Sequence, residues 1–134
     1  MESANIEKII DLLSDYIREY EEKEKYNEIL ITQSQLYKEL LSLIDKNYKI
    51  LDDNKLFISV LLSAIYNDDS LTNNFYNAMH ALNNGNELPY LQFVAKINFD
   101  AKEINKAISN NTRELANSKK ILKTAKKSIF YLKK

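Results

Sequence analysis

Residues 90–132, YLQFVAKINFDAKEINKAISNNTRELANSKKILKTAKKSIFYL, decide the fold. Tyr90, Val94, Ile97, Ala101, Ile104, Ile108, Leu115, Leu122, Ala125, Ile129 and Leu132 recur at alternating steps of three and four, with Asn111 and Ser118 holding two places in the series. A period near 3.5 sustained over many turns marks a helix that presents one continuous seam to a partner helix. A strand needs alternation by two, which the stretch lacks.

A matching series opens the chain: Ile6, Ile9, Leu13, Tyr16, Tyr20, Leu30, Tyr37, Leu41, Ile44, Tyr48 and Leu51, interrupted by Lys23, Asn27 and Ser34. Thr32 with Gln35, and Asp100 with Glu103, read as capping boxes that could restart a helix. The seam keeps its phase through both places, so both long helices are predicted to be continuous. Antiparallel pairing with residue numbers summing to 138 sets Tyr20 against Ser118, Tyr37 against Ala101 and Tyr48 against Tyr90. It also sets Asn27 opposite Asn111, where two amides can satisfy each other and fix register.

Between the long segments, Asp52-Asp53-Asn54 signals a turn and helix cap. Leu56–Tyr66 is apolar on nearly every side, which predicts a helix buried all round. Asn67–Ser70 is the next turn, with Ser70 as the cap of a helix carrying Leu71, Phe75, Ala78, Met79 and Leu82. Gly85 ends that helix where a left-handed residue is needed, and Pro89 falls in the first turn of the next. The expected fold is all-α: an elongated helical bundle of two long antiparallel coiled-coil-like helices with a short helical hairpin at one end. The boundaries are helices over residues 4–50, 54–66, 71–83 and 89–132, in a single all-helical domain over residues 1–134.

Composition agrees. The 134 residues include one Gly, one Pro and no Cys, too little turn chemistry for a barrel or sandwich and none for disulfides or Cys-based zinc sites. Nineteen basic and nineteen acidic residues cancel, so no global charge points to nucleic acid or membrane. The distribution is uneven: residues 1–51 carry 7 basic and 11 acidic side chains, whereas residues 90–134 carry 11 and 3. No apolar run is long enough for a membrane span, and the acidic N-terminus lacks the features of a signal peptide, so a cytoplasmic location is expected.

Catalytic chemistry finds little support. His80 is the one imidazole. It has no Glu three residues before it, as a helical di-iron site requires, and no Arg precedes it at the spacing of an Arg–His nuclease pair. The stripe Glu7, Asp11, Asp15 and Glu19 reads as a solvated face, and Gly85 alone rules out a glycine-rich phosphate loop. No enzyme activity, metal or cofactor is expected.

Two surfaces stand out. Lys119, Lys120, Lys123, Lys126 and Lys127 form a basic run suited to nucleic acid or another anion, although the simpler reading is a solvated face beside the acidic first helix. Ile10, Leu12, Ile17, Ile121, Phe130 and Tyr131 are apolar side chains beyond those a two-helix seam uses. The expected function is a non-enzymatic protein-interaction module, such as a small adaptor, an assembly or secretion chaperone, or an immunity- or inhibitor-type protein. It would bind partner helices, or a second copy, through this apolar end. The alternative is nucleic-acid binding through the Lys-rich C-terminal helix.

Overall fold

A computed structural model describes residues 2–44 and 53–133, with side chains from Ala4 onward. Among these, the elements are four α-helices and no strand: α1 (Glu2–Ile44), α2 (Lys55–Tyr66), α3 (Ser70–Asn83) and α4 (Leu88–Leu132). The fold is an all-α helical bundle in which α1 packs against α4. The expected continuation of the first helix to residue 50, Tyr48 and Leu51 in its seam, and Asp52 in the following turn lie outside the described residues.

Both long helices run unbroken through Thr32 and Asp100. At the second of these, the Asp100 carboxylate accepts a hydrogen bond from the Tyr66 hydroxyl at 2.6 Å instead of closing a capping box. The short helices end as their sequences dictate. Asn67 takes a left-handed conformation with φ 54° and donates its N–H to the Ser63 carbonyl, closing α2. After α3, Gly85 has φ 81°. Its N–H reaches the Leu82 carbonyl, and that of Asn86 reaches Ala81, at 3.1 and 2.9 Å. This pair of bonds is a Schellman motif, whose left-handed residue carries no Cβ penalty when it is glycine.

The start of α3 differs from expectation. Ser70 donates rather than caps: its N–H and Oγ both bond Asp68 Oδ1, at 2.8 and 2.7 Å. A carboxylate two residues ahead is the stronger acceptor, and these two bonds hold Asp68 below the usual carboxylate range.

The chain divides into two compact units. The core unit, Ile31–Lys106, gathers the end of α1, both short helices and the start of α4 around Leu40, Ile44, Ile58, Leu62, Phe75 and Ile97, all essentially inaccessible. The Phe75 ring makes tilted contacts with those of Phe93, at 5.5 Å between ring centroids, and Tyr76, at 5.8 Å. The Tyr90 hydroxyl donates to the Ile44 carbonyl, and Ser34 Oγ donates to Asn105 Oδ1 at 2.7 Å, so the long helices are antiparallel here. The hairpin unit, Met1–Leu30 with Ala107–Lys134, has only α1 and α4 to build from.

Every seam position expected in α4, from Tyr90 to Leu132, is buried or half-buried. In α1 three expected seam residues are not: Ile6 and Ile9 are 37% and 46% exposed, and Lys23 is exposed. Leu40 and Phe93 lie off the expected seam yet are buried, because in the core unit the short helices cover a second face of each long one. The all-round burial expected of α2 also fails. Ile58, Leu61, Leu62 and Ile65 face the core, while Leu56, Phe57 and Val60 are exposed. Among the described residues, the neighbouring helices cover one side of α2, and the apolar residues on its other side are exposed.

Candidate functional site: a tyrosine-lined groove in the hairpin unit

Two helices packed side by side bury one seam and leave two flanks. In the hairpin unit the seam holds Tyr20, Asn27 and Leu30 of α1 against Leu122 and Ala125 of α4, all buried. Asn27 lies at the level of Asn111 as expected, but its Nδ2 donates to the neighbouring Thr112 Oγ1, at 3.3 Å. Asn27 Oδ1 is buried with no hydrogen-bond partner. Burying an amide oxygen without a protein donor costs about 1–3 kcal/mol. Asn27→Leu is therefore expected to stabilise the chain by about 1 kcal/mol, read as a raised thermal midpoint by circular dichroism. A lowered midpoint would show that the Thr112 bond outweighs the stranded oxygen.

On one flank, small Ser118 and polar Asn111 leave the seam unfilled opposite the bulky residues of α1. The result is a groove of about 280 Å³ lined by Tyr16, Glu19, Tyr20, Lys23 and Tyr26 of α1 and by Asn111, Glu114, Leu115 and Ser118 of α4. An adjoining depression of about 270 Å³ shares Glu19, Lys23 and Tyr26 and adds Glu22. The walls are mostly aromatic and aliphatic carbon, with a carboxylate on each helix. Three tyrosines present large apolar faces with polar tips at low conformational cost, a composition suited to recognition.

The opposite flank is polar. Glu21, Glu24 and Lys25 of α1 face Lys119 and Lys126 of α4 across a second groove. Lys126 Nζ stands 3.7 Å from Glu21 Oε1, both side chains about half exposed, a pair that contributes little stability. Of the five lysines expected as an anion contact, Lys119 and Lys126 thus adjoin acidic α1. Lys120, Lys123 and Lys127 are exposed farther round the same side of the continuous helix α4.

The six apolar candidates also divide. Leu12 and Ile121 are exposed at 60% and 59%. Leu12 lies seven residues before Glu19 and fourteen before Tyr26, and Ile121 lies seven after Glu114, so each continues a stripe that lines the groove. Tyr131 is exposed beside that stripe, with its ring edge-on to that of Phe130 at 5.9 Å; Phe130 itself is exposed on the far side of α4. Ile10 and Ile17 are half-buried. Sequence reasoning missed Tyr16, Tyr26, Glu19 and Glu114 as a group. The available signals were the opposition of Tyr20 to Ser118, read there as a large residue meeting a small one, and Asn111, read there as the amide partner of Asn27.

His80 is exposed in the last turn of α3, its Nε2 3.4 Å from Asn84 Nδ2. Among the described residues no three His, Cys, Asp or Glu side chains converge so as to hold a metal ion. No described helix is long and apolar enough to cross a membrane.

Comparison with known proteins finds no matching family model, curated protein or solved structure. What the groove can bind follows from its own side chains.

Proposed function

We propose that the chain is a non-enzymatic protein-binding module that lays the grooved flank of its hairpin unit against a helix of a partner protein. The observation that carries this reading is a contrast in burial. Among the described residues, fourteen hydrophobic ones are buried in the core unit and seven large ones exposed, whereas in the hairpin unit four are buried and eight are exposed. A two-helix unit lacks the layer that would cover Leu12, Tyr26, Ile29 and Ile121, and a third helix supplies it. Covering a large apolar side chain gains roughly 1.5–3 kcal/mol, so four such residues can offset the entropy lost on association. An apolar face flanked by a solvated, ion-paired one is the pattern of a surface that is both soluble and adhesive.

The test is the double substitution Leu12→Asp with Ile121→Asp, since Ile17 is half-buried and would report on folding. Affinity capture from the native host is expected to recover a partner with the wild-type chain and to lose it with the double variant, at unchanged helicity. Recovery of the same partner by both would overturn the assignment of this flank.

A further inference from the structure

The grooved flank is not uniformly apolar, and its charges narrow the partner. Resting on the helix-binding reading above, we infer that the groove receives a basic amphipathic helix, seating one Arg or Lys side chain of the partner between Glu19 and Glu114. The two carboxylates stand on opposite walls, one on each helix, and Glu22 adds a third in the adjoining depression. The lining holds a single cation, Lys23. A purely apolar helix laid here would strip water from Glu19 and Glu114 without replacing it, a large desolvation penalty. A guanidinium or ammonium group offers them charge-assisted hydrogen bonds and meets the π faces of Tyr16, Tyr20 and Tyr26.

The same charges argue against a second copy as the occupant. A twofold pairing of this flank with itself would bring the partner's Glu19 and Glu114 toward the same groove, and like charges in a closing interface repel. A free small amine fits the cavity but leaves Leu12, Ile29 and Ile121 uncovered. Apolar contacts along two helical turns on either side of a central cation describe a helix with Leu at three- and four-residue spacing and one basic residue on the same face.

The experiment uses the full chain and three dye-labelled synthetic helices of eighteen residues. They are identical in their Leu stripe and differ only at the central position: Arg, Gln or Glu. Fluorescence anisotropy is expected to show the Arg peptide binding roughly three- to tenfold tighter than the Gln peptide, with the Glu peptide weakest. In the variant Glu19→Gln with Glu114→Gln the Arg preference vanishes, the Arg peptide losing affinity and the Gln peptide, spared the desolvation of two carboxylates, binding no more weakly than to the wild type. Added salt reduces the preference in the wild type only. Equal binding of the Arg and Gln peptides to the wild type overturns the cation seat and leaves the helix-binding surface standing. Absence of binding by all three overturns both. A concentration-dependent dimer that Leu12→Asp dissociates makes a second copy the occupant and overturns the inference.

Discussion

Phe75→Ala is expected to destabilise the core unit by about 3–5 kcal/mol, the range for truncating a fully buried phenylalanine. Phe75 is wholly inaccessible, and its ring contacts those of Phe93 and Tyr76. Its removal loses the transfer free energy of the ring and leaves a void bordered by residues from separate helices. Those neighbours cannot collapse together, because Ile58, Leu62 and Ile97 are already fully packed. Phe57→Ala provides the control. That phenylalanine is 56% exposed on the outer face of α2, and its loss is expected to cost well under half as much. Urea unfolding followed at 222 nm measures both. Equal losses for the two variants would mean that the core is not centred on α3.

What the sequence made legible was periodic. α4 keeps one seam from Tyr90 to Leu132 because a single face of it meets α1, and a stripe with one period is what heptad counting detects. The errors arose where burial depends on which neighbours exist. Leu56–Tyr66 is apolar on both sides, so no pattern within it tells Ile58 and Leu62, which are covered, from Leu56 and Val60, which are not. Ile6 and Ile9 continue the α1 seam in phase yet stay substantially exposed, so phase alone does not guarantee a covering partner. The candidate site was half legible for a similar reason. Leu12 and Ile121 could be recognised as surplus to the seam from their positions alone. The groove between Tyr16, Tyr26 and Glu114 could not, since it is a mismatch of volumes between segments about ninety residues apart in the chain. The hydrogen-bond partner of Asn27 is Thr112, the residue next to the Asn111 expected opposite it, a choice that a heptad register does not resolve.

The second large effect lies at the polar edge of the core, where Asp100→Ala is expected to cost about 1–3 kcal/mol at neutral pH, as an acceptor is taken from a partly buried hydroxyl. Asp100 Oδ2 accepts from Tyr66 Oη at 2.6 Å and from Lys96 Nζ at 3.2 Å. The Tyr66 ring lies edge-on to Tyr37, with centroids 6.0 Å apart. Burial raises Tyr66 far above the usual phenol range, and the bond to the Asp100 carboxylate raises it further; burial likewise raises Tyr37. Both phenols keep their protons in the folded chain at a pH where the unfolded chain releases them. The unfolded state then binds fewer protons than the folded state, so stability falls as pH rises. This contribution is complete below the ordinary phenol value of about 10 and is lost progressively above it, as pH climbs toward the folded values. Tyr66→Phe removes the larger of the two shifts and leaves Asp100 its contact with Lys96. Urea midpoints measured from pH 8 to 11.5 are expected to decline above pH 10 in the wild type and to decline less steeply in Tyr66→Phe. Absorbance near 295 nm should show part of the tyrosine signal ionising only as the chain unfolds. Parallel declines in the two proteins, with all tyrosines ionising before unfolding, would mean that Asp100 does not hold the Tyr66 proton in the folded chain.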